Sequence, residues 1–495
     1  MMKRSINTKG MKELDRLLIN RKYDSSYDLL RYAGFQCYKS LIKHISEKDS
    51  IVILCGANNN GGDGLVVFEH LFKNHYQCIA FVDKTFNSEE NKLQQDHLKT
   101  LNYPTSNLRE NIKYVVEVIQ KADVIVDALV GIGCSRDMDI EMSQIIIEIN
   151  KSKAKVISID IASGLLSDSG FMVNQCVVAD ITLVIGAYKH GHLLFDGRDV
   201  SGRLEFVDIK SELANDAVQC FEANEIPLLV HPRKNNVHKY DFKHVCVLGG
   251  SPSMMGSVAL SASAALAAGA GLVSLATHLS NSSTIRSLPY EIITPFYETM
   301  DDLINILSNK DVVVYGMGVS KEKPTLDVLA HLLSLDIPII VDGDGLFHLS
   351  KHTGSHSNTA LILTPHLKEL SILAKVDMQE VRKDVITYVK EVANMYQATV
   401  ICKGPTTIVC HNNQVNFYQV GNYGLATAGT GDVFAGLLAS QVAQHADIMQ
   451  AIHTTLAIYD KAAHLAMLKY GVVSMIASHV IEMIPSVIKQ ASDSN

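Results

Sequence analysis

Residues 50–72 read SIVILCGANNNGGDGLVVFEHLF. Ser50–Cys55 is a short apolar run closing on glycine, the pattern of a strand buried on both faces of a parallel sheet. The stretch Gly56–Gly64 follows, and Leu65–Asn74 then carries apolar residues at helical spacing. Strand, glycine loop and helix in that order are the first half of a βαβ unit. Gly61, Gly62 and Gly64 permit positive φ and close backbone approach, and the helix start behind them offers free N–H groups to an anion. The same residues also suit an ordinary glycine turn with asparagines in left-handed conformations.

Outward from this stretch the rhythm repeats. Apolar runs at Gln77–Val82, Asp123–Val130, Lys155–Ile161 and Ile181–Ile185 predict further strands, so the first 210 residues read as a mostly parallel sheet with helices on both sides. Between about Lys210 and Asn236 the rhythm lapses into a mixed stretch without a strong strand. It restarts with His244–Leu248, Gly271–Ala276, Asp311–Tyr315, Ile337–Val341, Leu361–Leu363 and Thr399–Cys402, followed by apolar helical stretches at Val433–Gln444 and Ile448–Lys469. Two α/β domains in tandem are expected over the 495 residues, 1–212 and 213–495.

Acidic residues outnumber basic ones, 52 to 44, for a net charge of −8, and no long Lys/Arg run occurs. That balance lacks the electrostatic footprint of nucleic-acid or anionic-membrane binding, so neither partner is expected. Hydrophobic residues at 47% and charged residues at 19% describe a globular chain. The nine cysteines form no CxxC pair, which disfavours a zinc ribbon or a disulfide framework and fits a reducing compartment. The first basic residues have no apolar region behind them, and Val258–Ala276 is rich in Ala, Gly and Ser. The latter reads as a buried helix running into a strand, and a cytoplasmic location is expected.

Chemistry-bearing residues cluster at strand ends. Asn59, Asn60 and Asp63 surround the first glycines. Asp127 ends an apolar run before Gly131 and Gly133, and Asp160 and Ser163 end another. Each acid could cap the next helix; together with Asn60 they also make a hard-oxygen cluster suited to a cation beside a polar ligand. Lys189 follows a fourth strand.

In the second half, Asn422 to Gly436 reads NYGLATAGTGDVFAG. Gly429 and Gly431 flank a turn into an apolar helix, whose amides suit a phosphoryl group while Asp432 accepts a proton. An N-capping aspartate is the plain alternative. Lys403-Gly404-Pro405-Thr406-Thr407 offers a lysine and hydroxyls suited to nucleotide phosphates, His366 closes a strand in TPHLKEL, and Asp342 and Asp344 form a pair suited to magnesium–phosphate or to a turn. Gly316 and Gly318 mark another strand-end turn, and Ser257 opens the Ala-rich helix.

NNGGDG, DALVGIG, IDIASG and ADITLVIGAYKHGHLL together resemble the NAD(P)HX epimerase family, which has a Rossmann-like fold. The resemblance implies potassium on Asn60, Asp127 and Ser163. It places the nucleotide on Asn59, Asn60, Gly61, Gly62 and Asp63 and on the turn Gly131, Ile132, Gly133, Cys134, Ser135, Arg136 and Asp137. Asp160 would then act at the reacting carbon with Lys189 nearby. Ala162 stands where the family usually has proline. HKYDFKHVCVLGGS, GMG, VDGDGL, TPHLKEL, CKGPTT and LATAGTGD are similar to the ADP/ATP-dependent NAD(P)HX dehydratase family, with its ribokinase-like fold. By that resemblance Asp432 is the catalytic base. Lys403 to Thr407 with Asn422, Gly424, Thr427, Gly429, Thr430 and Gly431 bind the nucleotide, and Ser257, Gly318 and His366 face the hydrated nicotinamide. Ser257 replaces a common alanine, and Ser320 replaces the last glycine of GxGxG.

Their fusion resembles the bifunctional NAD(P)H-hydrate repair enzymes. The implied activity is epimerisation of R- and S-NAD(P)HX, and dehydration of the S form with hydrolysis of ADP or ATP, aided by K⁺ and Mg²⁺. NADHX and NADPHX are the implied substrates, and a homo-oligomer is expected. The rival reading is a ribokinase-like small-alcohol kinase fused to a non-catalytic nucleotide-binding module.

Overall fold

The computed structural model describes residues 3–85, 88–212, 217–230, 233–284, 288–321, 326–354, 358 and 360–493. The chain divides into two compact units, Lys3–Gln219 and Cys220–Asn495. The division expected between 212 and 213 adjoins residues 213–216, which lie outside the described residues.

The first unit is built on seven parallel strands, in spatial order Thr105–Asn107, Cys78–Val82, Ile51–Cys55, Val124–Ala128, Lys155–Ile159, Ile181–Ile185 and Arg203–Val207. Chain order reverses between Ile51–Cys55 and Val124–Ala128. Both strands are buried along their whole length, which is why they read as continuous apolar runs. In an open α/β sheet, ligands bind beyond the strand ends at such a reversal.

In the second unit, seven parallel strands run in the order Phe296–Tyr297, Leu272–His278, His244–Leu248, Val312–Tyr315, Ile339–Val341, Leu361–Leu363 and Thr399–Cys402. The antiparallel strands Thr407–His411 and Gln414–Gln419 extend it. Here the reversal falls between His244–Leu248 and Val312–Tyr315. The small-residue helix Met255–Ala267 runs into Leu272–His278 as expected, and its close neighbour is the helix Thr430–Gln444, where a Cβ on Gly436 would stand 1.9 Å from the Ser261 carbonyl oxygen. No helix among the described residues is long and apolar enough to cross a membrane.

Two expectations need correction. The stretch read as lacking a strand contains Val218–Glu222, where Val218, Cys220 and Phe221 are buried and Gln219 is exposed. The helix placed at Leu65–Asn74 is Asn59–Lys73, so the asparagine–glycine motif forms its first turns. Accordingly Gly61, Gly62 and Gly64 are helical and none has positive φ. Close approach alone explains them: a Cβ on Gly61 would lie 1.9 Å from the Gly56 carbonyl oxygen.

Candidate active sites

The first site gathers at the strand reversal of the N-terminal unit. Asn58 occupies the N-cap of Asn59–Lys73 without a side-chain cap bond, so the amides of the first turn are not closed off by a side chain. Asn59 is exposed, whereas Asn60 and Asp63 are more than nine-tenths buried. Both amide atoms of Asn60 and Oδ1 of Asp63 lack any hydrogen-bond partner among the described residues. Buried polar groups are nearly always satisfied, so three orphaned atoms at one strand reversal leave polar partners for a bound ligand or water. Gly131 packs directly on Asn60; a Cβ there would lie 3.5 Å from its Oδ1. Of the turn that follows, Cys134 is buried, Ile132 half-buried, and Gly133, Ser135, Arg136 and Asp137 are exposed.

Asp127 is fully buried and its carboxylate is saturated. Oδ1 accepts from the Ser163 hydroxyl at 2.5 Å and the Leu129 amide at 3.2 Å; Oδ2 accepts from the Ser158 hydroxyl at 2.8 Å and the Ser163 amide at 2.9 Å. Burial pushes its carboxyl up, and these four bonds pull it back. Ser163 Oγ also accepts from the Val130 amide at 2.8 Å, which fastens the Ile161–Gly164 turn to the Gly131 turn.

Asp160 adopts φ 67°, a strained conformation for a residue other than glycine, of the kind that persists where function demands it. Its carboxylate accepts from the Ile185 amide at 3.2 Å and pairs with the fully buried Lys189, whose Nζ also donates to the Ile185 carbonyl at 3.0 Å. The lysine expected nearby is therefore in direct contact with Asp160. His192 accepts from the Lys189 amide through Nδ1 at 3.2 Å, and burial together with the charge of Lys189 pushes it down to about 3.

The second site lies where four parallel strands of the C-terminal unit end. Lys403 Nζ donates to Asp342 Oδ1 at 2.6 Å. The Lys403 amide donates to the Pro365 carbonyl at 2.8 Å, and a β-bridge sets His366 beside Lys403, so TPH and KGP form one wall. Asp344 has a different partner, Lys321 at 3.6 Å.

Gly429, with φ 90°, is the N-cap of Thr430–Gln444 and makes no side-chain cap bond. Asp432 sits in the first turn of this helix and is not the N-cap. A Cβ on Gly431 would stand 3.3 Å from Lys403 Nζ and 4.0 Å from Asp342 Oδ2, so the helix mouth opens onto that ion pair. Burial, then the charge of Asp342, raises the Asp432 carboxyl to about 6, against a hydrogen bond from Ser257 and the charge of Lys403. Thr430 bonds the Leu425 and Thr427 carbonyls at 3.0 Å, shaping the loop. Asn422 accepts from the Gly424 amide at 2.9 Å, and its buried Nδ2 has no partner among the described residues. Thr406 and Thr407 are buried, Gly404 and Pro405 exposed, and Gly318 is buried at the turn after Val312–Tyr315.

His366 caps the helix Leu367–Ala374: Nδ1 accepts from the amides of Lys368 at 3.2 Å and Glu369 at 3.3 Å. Glu369 Oε2 in turn accepts from the His366 amide at 2.9 Å. The ring is half-exposed, and its Nε2 lies 3.5 Å from Glu369 Oε1.

Two acids escaped the reading of the sequence. Burial, opposed by the charge of Lys189 and aided by that of Asp160, raises Asp15, on the helix Thr8–Lys22, to about 7. Its signal was a carboxylate on the stripe of Met11, Leu14 and Leu18, all buried. Burial similarly raises Glu369 to about 7, against the pull of Lys403. The side chain of Glu369 also closes the capping box with His366, a role that gives no hint of that second environment.

Residues 26–191 match the family model described as YjeF-related protein N-terminus, and residues 245–486 match the one described as NAD(P)H-hydrate dehydratase. The chain is 28% identical over 462 residues to a bifunctional NAD(P)H-hydrate repair enzyme of Coxiella burnetii, covering 92% of this chain and 93% of that protein. The Escherichia coli protein of the same description is 28% identical over 487 residues, covering 95% and 91%. Among solved structures, an ADP/ATP-dependent NAD(P)H-hydrate dehydratase from Bacillus subtilis, co-crystallized with ATP/Mg²⁺, is 23% identical with TM-score 0.48, covering 53% of this chain and 94% of that one. The two family models match in the order of the two sites, and relatives with both halves align along nearly the whole chain: it belongs to the bifunctional NAD(P)H-hydrate repair enzymes.

Proposed function

We propose that the two sites divide one repair. The first interconverts the R and S hydrates of NADH and NADPH, and the second dehydrates the S form while ADP or ATP is hydrolysed. The observation that carries the reading is Asp432: a half-buried carboxylate inside an uncapped helix mouth, with a proton affinity near neutrality and a lysine–aspartate pair opposite.

Asp432 takes the proton of the hydrate's hydroxyl, and that oxygen attacks the terminal phosphorus as the bond to the leaving nucleotide breaks. Phosphate is a far better leaving group than hydroxide. The ring nitrogen's lone pair expels it, and loss of a proton from the neighbouring carbon restores the dihydropyridine. First-turn amides of Thr430–Gln444 and Lys403 face the charge that builds on the phosphoryl oxygens. Magnesium accompanying the nucleotide supplies Lewis-acid stabilisation there. Ser257, whose hydroxyl bonds Asp432, orients the base.

In the first site Lys189 and Asp160 place a donor and an acceptor in one contact. Lys189 hands a proton to the departing hydroxyl, Asp160 receives one from the water that adds to the resulting ring cation, and the contact between the two side chains returns that proton to Lys189. The orphaned Asn60 oxygen, the Ser163 hydroxyl and the Asp127 carboxylate offer hard oxygens with a single negative charge, a set that suits K⁺ once the Ser163 hydroxyl turns off Asp127. Potassium on Asn60, Asp127 and Ser163 would supply a fixed charge beside the nucleotide.

The test incubates purified protein with hydrated NADH and either ADP or ATP. Restored absorbance of NADH is expected, and Asp432→Asn should abolish it while R/S exchange continues. Accumulation of a phosphorylated alcohol in its place would sink the reading.

A further inference from the structure

The turn Gly316–Ser320 has φ of 121° at Gly316, 67° at Gly318 and 70° at Ser320. Every second residue is left-handed, and glycine answers twice. At the third position a serine adopts the same conformation at a steric cost glycine would escape. Something must hold it there.

The structure supplies a fastening on each side. The Met317 carbonyl accepts from the Gly250 amide at 2.9 Å. The Ser320 carbonyl meets His348 Nε2 at 2.9 Å, and His348 Nδ1 meets the Tyr315 hydroxyl at 2.8 Å. A carbonyl can only accept, so Nε2 carries the proton, Nδ1 is the acceptor and the tyrosine donates. Tyr315 and His348 are both essentially inaccessible to solvent, one at the end of Val312–Tyr315 and the other on the helix Asp344–Lys351.

We infer that the buried Tyr315–His348 relay is a positioning device: it locks the carbonyl of left-handed Ser320 and so fixes the Gly318 wall of the dehydratase site. The inference rests on the reading of that wall as the place of the hydrated nicotinamide. It gives Tyr315 and His348 a role in substrate fit, and it explains how serine is tolerated where the turn asks for glycine.

The test uses the full chain with hydrated NADH and ATP, in a cycle of His348→Leu, Ser320→Gly and both. Losing one buried hydrogen bond predicts that His348→Leu raises KM for the hydrate about tenfold, with kcat and KM for ATP within about twofold. Ser320→Gly alone should be near neutral, and the double variant should return KM to within about twofold of the parent, because glycine needs no fastening. Tyr315→Phe keeps the ring and the core volume, and should move KM the same way by about threefold. Amide hydrogen exchange over 316–320 should quicken in His348→Leu and slow again in the double variant. An unchanged KM, a loss shared by kcat and by KM for ATP, or a failure of glycine to rescue would each overturn the inference. Should His348→Leu not fold, Tyr315→Phe against Tyr315→Phe/Ser320→Gly decides by the same criteria. If the parent protein shows no dehydratase activity, the reading of the site has failed instead, and the exchange cycle still judges the relay.

Discussion

Each half of the molecule sets a lysine against an aspartate at the end of a parallel strand, yet the two pairs are built for different work. Lys189 is sealed from solvent, and its partner Asp160 is held in a strained backbone with an amide as a further donor. Lys403 keeps about a fifth of its side chain accessible and looks across at the first turn of a helix. A closed pair can pass a proton between its own members and a small substrate, whereas an open one can receive an anion brought from outside. Each pair has a carboxylate of raised proton affinity near it, and what separates them is where that carboxylate stands: Asp15 in the middle of the helix Thr8–Lys22, Asp432 in the first turn of the helix that Lys403 faces.

The sharpest way to break this contrast is Asp432→Asn. Removing the base should lower nucleotide-dependent dehydration by roughly 10³-fold or more, within the range for general-base catalysis, and leave R/S exchange within about twofold. The same change should stabilise the fold. The folded carboxyl binds its proton more tightly than the unfolded one, so its contribution favours folding below pH 4 and is lost as pH rises through about 6. A neutral asparagine escapes that loss, and at pH 7 a gain of about 3 kcal/mol should appear as a higher Tm. Lower stability with retained dehydration would reverse the assignment.

Next in size is Lys189→Met. It leaves Asp160 charged, strained and unpaired, which should cost about 3–5 kcal/mol and cut epimerisation by about 100-fold or more. Lys403→Met should cost a similar amount of stability, since it leaves Asp342 at least as buried as Asp160, and should act chiefly on nucleotide use. Loss of nucleotide-dependent dehydration in Lys189→Met, or of R/S exchange in Lys403→Met, each assayed separately, would erase the distinction between the two pairs.

The pH profile offers a gentler test. Dehydration should rise about tenfold per unit up to about pH 6 and then level off, as Asp432 loses its proton. Asp432→Glu should move that limb, and Ser257→Ala should shift it upward by removing the bond that favours the charged form. Smallest is Asn60→Ala, expected to raise KM for epimerisation by about tenfold with little loss of stability, because the amide satisfies nothing inside the protein.

Much of the fold was legible because buried parallel strands leave continuous apolar runs. Ile181–Ile185, His244–Leu248, Leu361–Leu363 and Thr399–Cys402 stand where their runs stand. Val218–Glu222 hid because its pattern is a short alternation inside a mixed stretch. The helix start at Asn59 hid because Asn-Asn-Gly-Gly has poor helix propensity, overridden where Gly61 must close on Gly56. In the sites, spacing disclosed which residues end strands, and it was silent on who bonds whom.

The sequence by itself determined two α/β units, the strand ends that carry their chemistry, and the family to which the chain belongs. Tertiary structure alone decided that Asp127 is saturated while Asn60 is bare, that Asp342 takes Lys403 while Asp344 turns to Lys321, and that Tyr315 reaches Ser320 through His348. The reason is physical. Apolar periodicity is local and survives in one dimension, but the proton affinity and partners of a buried group depend on what distant segments bring within 3–4 Å of it.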